Sequence, residues 1–306
     1  MVLNLYSLMY VADSESKQFS GRVYAGNEKL DCYVRGACIL DKSLKINGFK
    51  QGLILLVNDE RAIQDSLSRI AYSDLQVKRI EFGLDVPKGC KFYSAHYKID
   101  VFKYFSTRPD NEYSVLLDSD IVSTSPFKDD FYSIVEKGIP MIYTLSRYGG
   151  AKKYVDVNKI VDDIDWMLWA GGEFIGGGKE FFGQIYDDIL KFKDRYWSNI
   201  NNDLFHVGDE MLTSIALRHL SNKFSPVDVG SLGVIYRYWS RFDESDYTSY
   251  NTSLVHFPGD KAFFAKVNPN QNSIKEIMKG YCGYRLGCRC KGIVKKMFDK
   301  DWRSKL

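Results

Sequence analysis

The sequence predicts an α/β fold with a mostly parallel, doubly wound sheet, because strand-like and helix-like segments alternate through its first half. Short aliphatic runs at 5–12, 52–57 and 115–117 have the composition of buried strands. The β-α-β-α-β-α-β order favours right-handed crossovers and parallel pairing. A chain of 306 residues is long enough for one large α/β domain with a smaller appendage.

The individual elements follow from local apolar patterns. Strands are predicted where short apolar runs are bounded by polar residues, at 5–12, 52–57, 77–82, 113–117 and 139–145. Helices are predicted where apolar residues recur every three or four positions, at 30–44, in the segment that ends at 71, at 94–105 and at 211–220. Internal repeats and low-complexity stretches are not evident in the sequence.

The fourth predicted strand ends in two acids one residue apart, Asp118 and Asp120. Alternate residues of an extended segment point the same way, so both carboxylates can face one hard cation. Acids at the carboxyl end of a parallel strand lie at the edge where open α/β sheets bind ligands. A divalent ion there would neutralise a diphosphate. Because acidic pairs also simply end strands, the pair alone leaves both interpretations open.

The sequence lacks the common phosphate-binding loops. No Gly-x-Gly-x-x-Gly turn follows the first strand, and no Gly-Lys-Ser/Thr loop occurs. Something else must offset phosphate charge, which favours a metal at the acidic pair. A nucleotidyltransferase that makes an activated sugar would also use paired acids, but it should carry a Gly-rich basic loop where this chain has the acidic segment 13–16.

Three later segments contain residue types suited to a sugar-nucleotide site. The segment 166–178 combines Trp166 and Trp169 with five glycines and one acid, although it could equally be a Gly-rich hairpin around a core Trp. Asp209-Glu210 opens an apparent helix, where acids often only interact with the helix dipole. The segment 255–263 places one His, one Gly and one Lys in a turn, and a single His is more often structural than a ligand.

In this order the motifs resemble the metal-dependent nucleotide-sugar glycosyltransferases of the A-type (GT-A) fold. The resemblance is closest to glycosyltransferase family 8, the glycogenin and lipooligosaccharide galactosyltransferase group, and covers residues 3–265. It implies Mn²⁺ or Mg²⁺ bound by Asp118, Asp120 and His256. It implies a donor site formed by Tyr10, Ala12, Asp13, Lys98, Ser119, Gly259 and Lys261. The acceptor side would comprise Trp169, Gly171, Gly172 and Glu173, together with Trp166, and the catalytic carboxylates would be Glu210 and Asp209.

The motifs also depart from the family pattern. One residue, not two, separates Gly259 from Lys261, and Ala-Phe follows that lysine in place of Pro-Trp. The acceptor-side segment reads Ala170-Gly-Gly-Glu-Phe174, where the family typically has an Asn-Gly-Gly-Phe-like sequence. The later helix opens with Asp209-Glu210 in place of Asp-Gln, which is more similar to the blood-group α-galactosyltransferases, in which the Glu faces the anomeric carbon. That similarity favours retention slightly, and inversion stays open.

The sequence therefore predicts a glycosyltransferase that moves a sugar from a nucleotide-sugar, UDP-sugar above all, to a glycan or glycolipid acceptor. Bacterial-type surface polysaccharide or lipopolysaccharide synthesis is the expected setting. A carboxylate can accept the proton of the acceptor hydroxyl or stabilise the oxocarbenium-like sugar, so Asp209, Glu210 and Glu173 are all candidates. The alternatives are an inverting transferase of the same fold, a nucleotidyltransferase, and a non-catalytic carbohydrate-binding protein.

Charge is distributed unevenly along the chain. The segment 279–306 holds nine basic residues and two acids, so the rest of the chain is net acidic and does not have the basic face of a nucleic-acid binder.

We predict a catalytic domain over 1–265 and a basic helical tail over 266–306. Apolar residues from Ile293 to Trp302 alternate with basic ones, a pattern that suits an anionic membrane surface or, alternatively, packing on the body.

The cysteines and the first residues of the chain favour a reduced, cytoplasmic protein, and the C-terminal tail favours peripheral attachment to the membrane. Six scattered cysteines do not form a disulfide framework. The chain begins directly with a strand-like pattern and lacks a basic leader. Cys282, Cys288 and Cys290 lie close together in sequence but lack the regular Cys-x-x-Cys pairs of a structural metal site.

Overall fold

A computed structural model of the protein describes residues 1–12, 27–145, 156–162, 168–200, 204, 206–238 and 252–298, with only the backbone described for 289–298. The strands are β1 Val2–Met9, β2 Leu53–Val57, β3 Gln76–Arg79, β4 Glu112–Leu117, β5 Ile121–Ser123, β6 Met141–Thr144, β7 Ala170–Gly177, β8 Val227–Asp228, β9 Ile235–Arg237 and β10 Leu254–His256. The helices are α1 Asn27–Ile46, α2 Glu60–Ile70, α3 Lys98–Ser106, α4 Asp129–Glu136, α5 Lys179–Asn199, α6 Asp209–His219, α7 Lys261–Phe264 and α8 Ile274–Phe298, with a 3₁₀ turn at Tyr93–Tyr97 and a short helical stretch at 156–160.

The main sheet has seven strands in the order β3-β2-β1-β4-β7-β6-β8. The first four in this order are mutually parallel and are joined by helical crossovers, as the sequence predicts. β4 is buried at all six positions, which explains the aliphatic run Val115–Leu117 in its second half. β7 runs antiparallel to both β4 and β6, so the second half of the chain completes a mixed sheet. The predicted mostly parallel α/β fold is confirmed.

A second sheet of three strands, β5-β10-β9, was not predicted. β5 begins immediately after Asp120, and β10 pairs antiparallel with it so that His256 lies opposite Ile121. β9 pairs parallel with β10 and places Arg237 opposite His256. The small sheet therefore brings residues from two distant parts of the sequence to the carboxyl end of β4.

Helix α1 approaches this edge through a glycine. A Cβ on Gly36 would lie only 2.7 Å from the backbone oxygen of Ser119, which is closer than real Cβ contacts. The helix interior is an unfavourable position for glycine, so close packing against the Asp-x-Asp turn explains it better than local propensity.

The C-terminal helix α8 begins at Ile274 and packs on the body through its first half. Ile277 and Tyr281 join a small apolar cluster with Phe257, Phe263 and Phe264. The Tyr281 hydroxyl donates to Asp260 Oδ2 at 2.6 Å, which ties α8 to the turn after β10. The apolar and basic stripe predicted from Ile293 onward lies outside the described side chains, and the division at residue 265 stays a prediction. None of the helices in the described part of the chain is long and apolar enough to span a membrane.

Candidate active site

Two carboxylates and an imidazole converge at the carboxyl end of β4. His256, the last residue of β10, places Nε2 3.1 Å from Asp120 Oδ1 and 3.6 Å from Asp118 Oδ2. One ligand atom from each of the three residues lies within 4.8 Å of the other two. Asp120 and His256 are buried, whereas the Asp118 side chain keeps 29% of its surface exposed. The three residues that the resemblance implied as metal ligands are therefore neighbours in the fold.

Two lysines contact the outer oxygens of the same acids. Lys98 Nζ donates to Asp118 Oδ1 at 2.8 Å, and Lys261 Nζ donates to Asp120 Oδ2 at 2.5 Å. The other oxygen of each acid faces His256 Nε2. This arrangement fits Mn²⁺ or Mg²⁺, because two carboxylate oxygens and an imidazole nitrogen lie close together while each lysine holds the outer oxygen of one acid.

The charge state of the cluster follows from these contacts. Burial works against ionisation of Asp120, but Lys261 and His256 outweigh it and hold the pKa of Asp120 well below its usual range. Burial also disfavours a charged His256, yet Asp120 and Glu173 raise the pKa of His256 to about 9. A cation bound between the acids would take the place of the proton on His256 Nε2.

The far side of His256 faces a buried glutamate. His256 Nδ1 lies 3.4 Å from Glu173 Oε1, a long contact, and has no shorter hydrogen-bond partner among the described residues. Glu173, on β7, is fully buried, and Arg237 donates to both of its oxygens, through Nε to Oε1 and through Nη2 to Oε2 at 2.5 Å. Burial would raise the pKa of Glu173, but Arg237 and His256 lower it below the usual value. Glu173 thereby stays an anion that can orient the imidazole.

Arg237 also reaches the second residue of α6. Its Nη2 donates to Glu210 Oε1 at 2.8 Å, so one guanidinium bridges two carboxylates from different elements. Glu210 accepts further hydrogen bonds from Trp169 Nε1 at 3.1 Å and from the Gly172 backbone N–H at 3.3 Å, and His206 Nε2 lies 3.2 Å from Glu210 Oε2. Despite burial, His206 and Arg237 hold the pKa of Glu210 well below its usual value. Glu210 is a fixed anion.

Asp209, the first residue of α6, belongs to a different set of contacts. Its Oδ2 lies 3.0 Å from Lys98 Nζ, which also donates to Asp118 and to the Gly172 carbonyl at 2.7 Å. Burial raises the pKa of Asp209 above its usual value, with Lys98 acting in the opposite direction. One ammonium therefore connects the acid pair on α6 to the Asp-x-Asp turn.

The two glycines before Glu173 leave room for these groups. A Cβ on Gly171 would lie 2.1 Å from Glu173 Oε2, and one on Gly172 would lie 2.6 Å from Asp209 Oδ2 and 2.8 Å from Lys98 Nζ. Any side chain at either position would displace a charged contact. The Gly-Gly pair is thus explained by close approach of carboxylates to the strand.

The end of β1 forms an aromatic cluster beside this edge. The Tyr10 ring stacks on Tyr97, with centroids 3.9 Å apart, and makes edge contacts with Phe82 and Tyr93. The next residue, Val11, is held by Asn58, which directly follows β2. The Asn58 side chain accepts from the Val11 N–H at 2.7 Å and donates to the Val11 C=O at 2.8 Å. This clamp fixes the path of the chain up to Ala12, and Asp13 lies outside the described residues.

The other predicted site residues are distributed as follows. Ser119 lies between the two acids, and Gly259 occupies the exposed turn before Lys261. Trp169 is 4% exposed and points its indole N–H at Glu210, while Trp166 lies outside the described residues.

Three residues of the site, Arg237, His206 and Asn58, were not predicted from the sequence. An arginine in the otherwise apolar run 234–238 was the one available signal, because a buried charge needs a partner.

No protein-family model and no curated protein matches the sequence. Among solved structures, the protein is similar to galactosyltransferase LgtC in complex with donor and acceptor sugar analogues, at 10% identity and a TM-score of 0.51, over 99% of this chain and 100% of that one. It is also similar to an active-site mutant of LgtC, at 10% identity and a TM-score of 0.50, over 92% of this chain and 95% of that one. At this identity the likeness shows the fold. The chain has the GT-A fold and resembles LgtC, as the motifs predicted.

Proposed function

We propose that the protein is a metal-dependent glycosyltransferase that moves a sugar from a nucleotide-sugar, most simply a UDP-sugar, to a glycan or glycolipid acceptor. The observation that carries this proposal is the convergence of Asp118, Asp120 and His256 beside two ammonium groups at the carboxyl edge of β4. The GT-A fold supports it, since the LgtC structure with the same fold holds donor and acceptor sugar analogues.

The residues around the acids suit departure of a nucleotide diphosphate. A divalent ion held by Asp118, Asp120 and His256 would act as a Lewis acid on the leaving group. Lys261 has 37% of its side chain exposed, so its ammonium can exchange Asp120 for a phosphate oxygen. Gly259 in the preceding turn and Ser119 between the acids would contribute contacts to the same diphosphate. Preorganised positive charge of this kind stabilises the transition state.

The nucleotide base is proposed to bind at the end of β1. Tyr10 and Ala12 precede the acidic segment that includes Asp13, and the stacked Tyr10–Tyr97 pair provides an apolar, rigid wall. Lys98 directly follows Tyr97, the last residue of the 3₁₀ turn, and contacts Asp118. It therefore lies between the proposed base site and the acids.

Asp209 and Glu210 are proposed to flank the transferred sugar. Glu210, with both oxygens already engaged, would act as a fixed negative charge beside an oxocarbenium-like centre. Asp209 shares Lys98 with Asp118 and therefore lies between the diphosphate side and the sugar side. A carboxylate on one face of the sugar is compatible with retention, which we prefer on the resemblance alone.

Gly171 and Gly172 were predicted on the acceptor side, but the space beside them is taken by Glu173, Asp209 and Lys98, so their proposed role is to let these charged groups approach the strand. Glu173 and Trp169 were predicted to contact the acceptor directly. Their burial and their contacts favour a different role for both, in which Trp169 orients Glu210 and Glu173 orients His256 and Arg237.

Incubation with a panel of nucleotide-sugars and Mn²⁺ tests the proposal. A transferase should slowly hydrolyse its preferred donor to the nucleoside diphosphate, and Asp120→Asn should abolish that release. Asp110→Asn is the matched control, because Asp110 is an exposed acid on the surface that pairs with the half-exposed Lys179. Release of pyrophosphate from a nucleoside triphosphate and a sugar phosphate would instead identify a nucleotidyltransferase. Glycan binding without turnover of any donor would identify a carbohydrate-binding protein.

Synthesis of a surface polysaccharide or lipopolysaccharide at an anionic membrane is the proposed setting, and it rests on the basic tail of the sequence. Removal of residues 292–306 tests it. The full chain should co-sediment with anionic liposomes and the shortened chain should not. Equal co-sedimentation of the two forms would contradict membrane attachment through the tail.

A further inference from the structure

Phe92 combines an exposed ring with a strained backbone. Its side chain is 51% exposed, more than any other aromatic side chain among the described residues. Its φ of 54° lies in the left-handed region, which disfavours bulky residues. The other described non-glycine residue with positive φ is Ala71, where the conformation ends α2 and the backbone N–H bonds the last turn. Phe92 ends no helix but directly precedes the 3₁₀ turn Tyr93–Tyr97, and the Ala95 N–H of that turn donates to the Phe92 carbonyl at 2.9 Å.

A buried, uncharged network holds Phe92 in this conformation. His96 Nδ1 donates to the Phe92 carbonyl at 3.1 Å, and the Tyr196 hydroxyl donates to His96 Nε2 at 2.9 Å. Burial lowers the pKa of His96 to about 4, so the ring carries the single proton that this pattern requires. The Tyr196 oxygen in turn accepts from the Gly208 backbone N–H at 2.9 Å.

The two ends of this network meet at the start of α6. Gly208 has a φ of 145° and directly precedes Asp209 and Glu210. A Cβ on Gly208 would lie 3.9 Å from the Cβ of Phe92, so the exposed side chain starts beside the backbone that presents the acid pair. Tyr93 and Tyr97, in the adjoining 3₁₀ turn, instead contact Tyr10 on the nucleotide side. Among the described residues, the Phe92 ring stacks on no other aromatic ring.

We propose that Phe92 is the platform on which a sugar ring of the acceptor packs its apolar face, next to Asp209 and Glu210. This inference rests on the proposed glycosyl transfer. The C–H groups on one face of a pyranose carry partial positive charge and contact the negative face of an aromatic ring favourably. The hydrogen bond to the Phe92 carbonyl fixes the backbone that carries the ring, so ordering that backbone costs little conformational entropy when a sugar binds.

The test separates acceptor binding from donor chemistry. Phe92→Ala should raise the acceptor KM on the order of 10-fold, the loss of about one stacking contact, while leaving kcat and the rate of donor hydrolysis without acceptor unchanged. Phe92→Trp should restore the KM, because it returns a ring to the same position. Tyr132→Ala, which removes an exposed aromatic ring on α4, is the matched control and should change neither quantity.

Because the acceptor is not identified, lactose, maltose and a panel of methyl glycosides serve as probes in saturation-transfer NMR with UDP and Mn²⁺ present. Binding by the native protein that is lost in Phe92→Ala and retained in Phe92→Trp supports the platform. No binding of any probe by the native protein, or equal binding by Phe92→Ala, overturns it. A raised donor KM in Phe92→Ala also overturns it, in favour of stacking on the base. Absence of donor hydrolysis in every form would instead contradict the proposed function itself.

Discussion

The two groups of carboxylates on either side of His256 are neutralised in different ways. Asp118 and Asp120 are each contacted by one lysine through one oxygen, and part of the surface of Asp118 and Lys261 is exposed. Glu173 and Glu210 share a single arginine, Arg237, which is 9% exposed and contacts three of their four oxygens. The first group is open on one side, and the second is enclosed.

This difference separates exchangeable contacts from fixed ones. An ammonium on a flexible stem can leave a carboxylate for a phosphate oxygen or a cation at small cost, whereas a guanidinium bound in a planar fork is held by several bonds at once. The Asp118–Asp120 group therefore suits ligands that come and go. The Glu173–Glu210 group suits a scaffold that keeps His256 and the start of α6 in position.

The largest effect should follow from breaking the enclosed group. Arg237→Met removes the guanidinium that Glu173 and Glu210 share and leaves each buried carboxylate beside one histidine only, so the free energy of unfolding should fall by about 3–5 kcal/mol. Urea denaturation followed by circular dichroism measures it. Arg195→Met is the matched control, because Arg195 makes a bidentate but exposed pair with Asp162, and its midpoint should stay near that of the native protein. Equal midpoints for both variants would show that the enclosed group is not the fixed one.

A smaller effect, confined to turnover, should follow from neutralising one member of the acid pair. Glu210→Gln keeps the size of the side chain and one acceptor oxygen but removes the charge, so kcat should fall on the order of 10²-fold with the donor KM little changed. Steady-state release of nucleoside diphosphate measures both. Asp209→Asn is the comparison: because Lys98 joins Asp209 to Asp118, this variant should also weaken donor binding. If kcat is unchanged in Glu210→Gln and falls in Asp209→Asn, Asp209 is the residue at the anomeric centre.

The first half of the fold and the open group could be predicted because their signals are local. Buried parallel strands read as aliphatic runs, and the strand that ends in Asp118 and Asp120 follows the same rule. The start of α6 was also expected near Asp209-Glu210, and the structure begins the helix at Asp209. In each case a few neighbouring residues decide the structure.

Glu173 and Glu210 were predicted as site residues, but their contact with Arg237 could not be predicted because no local pattern specifies it. Arg237 is 64 positions from Glu173 and 27 from Glu210, and it reaches them only because the three-residue strand β9 pairs with β10. Short strands of three residues carry too little periodicity to be recognised in sequence. The antiparallel direction of β7, which aims Glu173 at His256, likewise depends on pairing with β4 and β6.

A third buried network, between His96 and Tyr196, carries no charge and should therefore respond to pH differently from both carboxylate groups. Burial lowers the pKa of His96 to about 4 from 6.5, and its neighbours are neutral too, because burial raises the pKa of Cys90 to about 11 and that of Tyr196 above its usual value. Between pH 6.5 and pH 4, His96 binds a proton in the unfolded chain but not in the folded chain. Stability from this group is thus complete above pH 6.5 and is lost as the pH falls toward 4.

His96→Gln tests this smallest effect, since an amide can donate to the Phe92 carbonyl and accept from Tyr196 but does not titrate. Between pH 7 and pH 5 the native protein should lose about 2 kcal/mol more stability than the variant, given the two pKa values of His96. Urea midpoints across that range measure the difference, and comparing the two proteins cancels the titration of all other groups. If the native protein and the variant lose stability in parallel, His96 is protonated in the fold. The Tyr196 hydroxyl could not then donate to Nε2, and the network would need a different arrangement of protons.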